Sequence, residues 1–327
     1  MATPYNRQNS TASGIAADLS SNIAGKVILT TGVSPNGLGA HFVETIAKHK
    51  PALLILAGRS EAKVKATADK IKADPASANV PTRSLVLDLS SQSQIHEAAK
   101  EVLAYPESID VVVNSAGNMA GPYATTKEGI ELQFGSNHIG HFLFTNLIMP
   151  KVLASTSPRV VNVSSDGHRL SPVRFDDYNF QNGKAYKQWE GYGQSKTANI
   201  LYSKALAAKL GPKGLKAYSL HPGVTFGTSL APGLGVADFA ELKARDKEIG
   251  DPLGEDDATF DIKTLDECAA THVVASFDPR IEGHNGAYLE DGDLAKEGKL
   301  RATATNPADP ERLWMLSEEL VGEKFQF

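Results

Sequence analysis

Six apolar runs recur from Lys26 onward, "KVILTTG", "ALLILAG", "RSLVLDL", "IDVVVNSAG", "RVVNVSS" and "LKAYSLHPG", with "GAYLEDG" a later seventh, and longer segments of helical period lie between them. Each run is a continuous Val/Ile/Leu cluster rather than an apolar/polar alternation, the pattern of a strand covered on both faces. Helices between such strands serve as the crossovers that parallel pairing requires. The expected fold class is therefore α/β, a doubly wound parallel sheet of about seven strands in one domain over residues 25–327. A chain of 327 residues, 41% of them apolar, can bury a sizeable core, and no Pro/Ser/charge-rich linker divides it.

A formal net charge of −5 gives no basic footprint for nucleic acid or acidic membranes, so the expected partners are small molecules. Residues 1–24 lack an apolar signal core and are too polar to span a bilayer, and read as a flexible tail or surface-wrapping arm without a membrane anchor. The single cysteine, Cys268, excludes an intramolecular disulfide and points to a reducing, cytoplasmic setting. Its stretch "LDECAATHVVASF" looks helical, which predicts a buried, inert thiol.

The runs end at their C-terminal side in Gly32, Gly58, Asp88, Asn114, Ser165 and Pro222. Ligands of open α/β sheets sit outside the carboxyl ends of the strands, so these residues should border one crevice. In "TTGVSPNGLG", Gly32, Gly37 and Gly39 follow a strand and open a helix, the context of a Rossmann-type dinucleotide signature. Bare backbone there can approach a pyrophosphate, and the helix N-terminus offers it free N–H groups. Arg59 in "LAGRS" stands where an acidic residue would bond the ribose hydroxyls of NAD, and an arginine suits the 2′-phosphate of NADP(H) instead. Asp88 in "LDLSS" has two readings, a bond to the adenine amine or a cap on the helix that "SSQSQ" begins.

In "YGQSKTANILYSKAL", Tyr192 and Lys196 stand four apart on one helix face. A phenol titrates near about 10, and a neighbouring ammonium favours the phenolate and lowers that value, which would fit Tyr192 for proton transfer. Ser165 in "NVSS" could donate a hydrogen bond to a substrate carbonyl, and Asn114 in "NSAG" could bridge neighbouring backbone strands. His138 and His141, three apart, have no third ligand at a recognisable spacing, and the adjacent aspartates of "FDDYNF" read as a solvated loop, so no metal site is expected.

The glycine loop, "NSAG", "NHIGHFLFTNLI", "NVSS", "YGQSK" and "HPG", in that order, resemble the short-chain dehydrogenase/reductases over residues 26–321. "NHIGHFLFTNL", the long Ser165-to-Tyr192 segment and "ERLWMLSEELVG" look most like the branch of retinol dehydrogenases and their soluble relatives. The resemblance implies a tetrad in which Tyr192 gives or takes the proton, Ser165 polarises the carbonyl, Lys196 binds the nicotinamide ribose and Asn137 holds a relay water. It implies cofactor contacts from Gly32, Ser34, Asn36, Gly37, Leu38 and Gly39, from Arg59, Asp88 and Leu89, and from Asn114, Ala116 and Gly117. It adds Tyr192 and Lys196 again, and Pro222, Gly223, Val224, Thr225 and Thr228 after the sixth strand. It also implies a homodimer or tetramer.

Two departures stand out. Four residues, including Pro35, separate Gly32 from Gly37 where the family has three, and the phosphate-contacting threonine after "HPG" is either Thr225 or Thr228. The activity implied is NADP(H)-dependent interconversion of a carbonyl and an alcohol. Reduction of a carbon–carbon double bond, or a silent nucleotide-sensing module, are the alternatives. Residues 224–262, with Pro232, Gly233 and Gly235 among apolar residues, read as a hinged lid, and Phe175, Tyr178 and Phe180 as a second wall or as pins for their own loop. Both favour a bulky, apolar substrate.

Overall fold

Every continuous apolar run becomes a strand in the computed structural model, which describes residues 2–228, 230, 234, 236–250 and 261–327. The strands are β1 (Val27–Thr31), β2 (Leu53–Gly58), β3 (Thr82–Val86), β4 (Val111–Asn114), β5 (Arg159–Val163), β6 (Lys216–His221), β7 (Tyr288–Glu290) and β8 (Asp293–Leu294). They form one sheet in the order β3-β2-β1-β4-β5-β6-β7-β8. All neighbours are parallel except β7 and β8, a short antiparallel edge that extends the expected seven strands to eight.

The longer helices are α1 (Ala12–Asp18), α2 (Leu38–Ile46), α3 (Glu61–Ala73), α4 (Gln92–Leu103), α5 (Gly140–Leu147), α6 (Gln188–Leu210), α7 (Val236–Glu248), α8 (Leu265–Phe277) and α9 (Asp309–Val321). Successive strand residues point to opposite faces, so Leu29 and Val112 join the layer under α4, α5, α6 and α9, while Ile28 and Val113 join the layer under α1, α2, α3 and α8. Caps fix the helix starts: Ser60 for α3, Ser91 for α4, and a reciprocal Thr264–Glu267 box for α8, each stabilising by about 1 kcal/mol. Cys268 is buried in α8, and burial pushes its thiol up to about 12, an inert group.

The N-terminal segment is not a loose tail. Thr11 caps α1, and Ala12, Ile15, Ala16, Leu19 and Ile23 are buried in the layer that holds α2 and α8. Arg7 pairs with Asp261 and Glu267, and Asp293 accepts the amides of Ala2 and Thr3. Of the expected alternatives the wrapping arm describes it. No helix among the described residues is long and apolar enough to cross a membrane.

The order 3-2-1-4 reverses direction between β1 and β4, and their carboxyl ends open the crevice in which open α/β sheets hold ligands. Thr31 Oγ1 closes its floor by accepting the amides of Ser115 and Ala116, both at 3.0 Å.

Candidate active site

The glycine loop and the loop after β4 touch at this switch point. Gly32 has φ +76°, and a Cβ there would lie 2.6 Å from Ala116 Cα, while one on Gly39 would lie 2.8 Å from Gly32 O. Only glycine fits either approach. The lengthened loop is absorbed by a turn: Gly37 N donates to Ser34 O at 3.0 Å across Pro35 and Asn36, and Asn36 has φ +64°. Proline second and a left-handed asparagine third are the residue preferences of a type II turn. Gly37 then begins α2 with no side-chain cap, and Leu38 is its first residue, so the first amides of the helix remain available to an anion.

Arg59 follows β2 and is exposed, with no ion pair to it among the described residues. Asp88 does not cap α4, which Ser91 does; its carboxylate accepts Ser90 N at 3.0 Å and Ser90 Oγ at 2.7 Å, shaping the turn after β3. Leu89 packs its backbone against Gly140, where a Cβ would meet Leu89 O at 2.4 Å. Asn114 joins side chains rather than backbone strands. It donates to Thr145 Oγ1 at 3.0 Å and to Asn162 Oδ1 at 2.8 Å, tying β4 to β5 and α5.

α6 carries Tyr192 and Lys196 one turn apart, both buried, with the Lys196 ammonium 5.5 Å from the centre of the Tyr192 ring. Ser165 lies near enough to the Tyr192 hydroxyl to draw its pKa down, and Ser165 Oγ accepts Gly167 N at 3.0 Å. A Cβ on Gly167 would strike the Tyr192 ring at 2.7 Å, so glycine is what lets the Ser165 loop close on the phenol. Lys196 Nζ donates to Val163 O at 3.1 Å and lies beside Gly117, where a Cβ would be 3.7 Å from Nζ and 3.2 Å from Asn137 Oδ1. Tyr192, Ser165, Lys196, Asn137 and Gly117 thus converge.

The expected lowering of the phenol does not occur in this structure. Burial dominates and pushes Tyr192 up to about 12 against the pull of Ser165, and it pushes Lys196 down to about 8. At neutral pH the phenol therefore keeps its proton.

Asn137 sits on a π-helical turn, Gly135–Ile139, a feature often found at functional sites. Its amide donates to Asn118 O at 2.9 Å and Ser195 Oγ at 3.0 Å, and its Oδ1 accepts Asn118 N at 2.9 Å. His141 holds its backbone: Thr31 Oγ1, already an acceptor twice, donates to His141 Nε2 at 2.9 Å, which leaves Nδ1–H to donate to Asn137 O at 3.0 Å. His138 turns away, its Nε2 2.8 Å from Ser317 Oγ on α9.

Pro222 is buried after β6, Gly223 turns with φ +102°, and Val224 bridges to Ile262. Thr228 Oγ1 accepts Leu230 N at 3.4 Å, and no hydrogen bond engages the Thr225 hydroxyl among the described residues. The apolar wall beside Tyr192 is made of Ala120, Leu170, Trp189 and Leu242, with Met119 and Phe239 packed against them. Trp189 Nε1 donates to Asp238 O at 2.9 Å, which fastens α7 over it. Phe175, Tyr178 and Phe180 pin their own loop instead: Arg312 lies over Phe175, Tyr178 stacks near Phe134, and Phe180 is buried against Tyr186 and Arg174. The hinge residues Pro232, Gly233 and Gly235 lie outside the described residues.

Comparison with known proteins agrees with this architecture. The short chain dehydrogenase family model matches residues 26–179. The chain is 38% identical to human retinol dehydrogenase 13 over 94% of its length and 88% of that protein, and 32% identical to retinol dehydrogenase 12 of Mus musculus over 93% and 89%. A crystal structure of an uncharacterised protein from Mycobacterium paratuberculosis superposes with a TM-score of 0.70 at 27% identity, covering 95% of this chain and 98% of that one. With its strand order, glycine loop and buried Tyr-x-x-x-Lys pair, the chain belongs to the short-chain dehydrogenase/reductase family of oxidoreductases, in its retinol dehydrogenase-like branch.

Proposed function

We propose that the protein reduces bulky, apolar aldehydes or ketones to alcohols with NADPH, and runs the reverse reaction when alcohol and NADP are supplied. The observation that carries this reading is the meeting of Tyr192, Ser165 and Lys196 beside a glycine cradle that any added Cβ would fill. That cradle and the uncapped start of α2 fit the pyrophosphate of a dinucleotide, with Ala116, Gly117, Pro222, Gly223, Val224 and either Thr225 or Thr228 around the rest. The nicotinamide, when bound, supplies or accepts the hydride. Ser165 donates a hydrogen bond to the carbonyl oxygen, Tyr192 delivers the proton to it, and Lys196 holds the ribose and favours the phenolate left behind. Asn137, fixed by His141, steadies the water through which the proton is replaced. A screen of NADPH consumption against mixed aldehydes, ketones and enones tests the assignment: turnover of carbonyls supports it, turnover of enones alone moves Tyr192 to protonation of a reduced double bond, and none with any class overturns it.

NADPH should bind more tightly than NADH. Arg59 is exposed and unpaired among the described residues, free to form charge-assisted bonds with a 2′-phosphate of ~1.5–3 kcal/mol, which is roughly 10- to 150-fold in Kd. Arg59→Asp should reverse the preference. Equal dissociation constants for the two nucleotides in the unmodified protein would rule out this role.

The wall of Leu170, Trp189, Leu242, Met119 and Phe239 supports an apolar substrate. At ~0.8 kcal/mol per buried methylene, two or three further methylenes should raise kcat/KM by about tenfold or more along a series of straight-chain and aryl ketones at saturating NADPH. A flat or falling series would remove the apolar-substrate reading and leave the reductase reading standing.

A further inference from the structure

We infer that Lys263 is a positioning residue for the nucleotide, setting the Pro222–Gly223–Val224 turn from beneath. Its side chain is only 6% exposed, although it carries an ammonium and lies just before α8. The aliphatic stem occupies the space that Gly223 leaves open: a Cβ on Gly223 would lie 2.5 Å from Lys263 Cδ, 2.9 Å from Cε and 3.2 Å from Nζ. The glycine is thus required twice, by its φ of +102° and by the lysine under it. The backbone repeats the contact, since Lys263 N donates to Val224 O at 2.8 Å and Ile262 bridges Val224 in parallel.

The ammonium is held in turn by Asp291, which has φ +53° in the β7–β8 turn. That turn is clasped by the N-terminal arm: Ser10 Oγ donates to Asp291 O at 3.1 Å and Thr3 Oγ1 to Gly292 O at 2.7 Å. A chain of contacts therefore runs from the arm through Asp291 and Lys263 to the turn that borders the proposed nicotinamide pocket. An ion pair whose ammonium is buried is a poor source of stability, because desolvation of that ammonium opposes the attraction to the partly exposed Asp291, whereas its directional bonds fix a geometry. An apolar side chain of the same length would fill the space under Gly223 but would have nothing to hold it in register with the arm.

The inference rests on the nucleotide reading of the cleft, and the test separates the two. Nucleotide affinity is measured by titration calorimetry with NADPH for the unmodified protein, Lys263→Met, Lys263→Arg and Asp291→Asn, beside the thermal midpoint of each without nucleotide. Lys263→Met and Asp291→Asn should raise the Kd for NADPH at least tenfold, with the loss appearing in nucleotide Kd and KM rather than in kcat at saturation. Lys263→Arg, which keeps both stem and charge, should recover most of the affinity. Should Lys263→Met fail to fold, Asp291→Asn and Lys263→Arg carry the same comparison. Folded variants with lowered midpoints but unchanged Kd would make Lys263 a stability element and overturn the inference alone. Absence of NADPH binding by the unmodified protein would overturn the nucleotide reading with it.

Discussion

Tyr192→Phe should lower kcat by about 10²- to 10⁴-fold, the range contributed by a positioned acid or base, while the Kd for NADPH changes by less than about threefold. The ring is 5% exposed and packs between Trp189 and the Gly167 turn, contacts that phenylalanine retains. What is lost is the hydroxyl beside Ser165, and with it the proposed proton path. Lys196→Ala should damage both quantities if, as proposed, the same ammonium serves the ribose and the phenol. Single-turnover rates and nucleotide titrations on the two variants read the difference directly. A Tyr192→Phe protein with near-normal turnover would place the proton donor elsewhere and dissolve the proposed tetrad.

The sheet was legible because burial on both faces leaves a mark that local composition preserves: "VVVN" and "RVVNV" admit few other readings. The proposed reacting groups were legible by residue type and spacing: Ser165 follows β5, and Tyr192 and Lys196 stand one turn apart on α6. What escaped was decided by packing between distant segments. The choice between loose tail and wrapping arm stayed open because 24 polar-rich residues hide one short stripe, Ile15, Leu19 and Ile23 at four-residue spacing, whose partner α8 lies some 250 residues away. That stripe was a usable signal.

Of the two readings of Phe175, Tyr178 and Phe180, a second wall or pins for their own loop, the pins hold, since Phe180 faces Tyr186 while Trp189, Leu170 and Leu242 face the phenol. Nothing in a linear string states which way a loop is turned. The direction of the Tyr192 shift likewise depends on burial outweighing the pull of Ser165, a balance set by depth. His141 was weighed only as a metal ligand, and its actual service, between Thr31 and Asn137, joins residues over 100 positions apart.

Acid should unfold the protein between about pH 4 and 5, and His141 ties that transition to the site. Burial holds His138 down to about 3 and His141 and His272 down to about 4, each fully enclosed and neutral. The unfolded chain takes up protons on these rings near about 6.5, so stability is fully present above that value and is lost as pH falls toward the folded values. From pH 7 to pH 5 the loss is about 2 kcal/mol for each ring, or ~6 kcal/mol for the three.

Glu131 acts in the opposite sense. Burial lifts it to about 7, above its unfolded value, so acidification over the same interval returns about 2 kcal/mol. Over these four groups alone the loss of ~4 kcal/mol by pH 5 grows to ~6 by pH 4, comparable with the whole stability of many domains, ~5–15 kcal/mol. Protonation of His141 at Nε2 would also set a donor against Thr31 Oγ1, whose acceptor positions already hold the amides of Ser115 and Ala116, so the Asn137 backbone should be released in the same step. Thermal melts from pH 7 to pH 4 with His272→Leu alongside give the measurement. The midpoint of acid unfolding should move to lower pH when that titrating ring is removed, and an unmodified protein with a constant Tm across the interval would contradict the account.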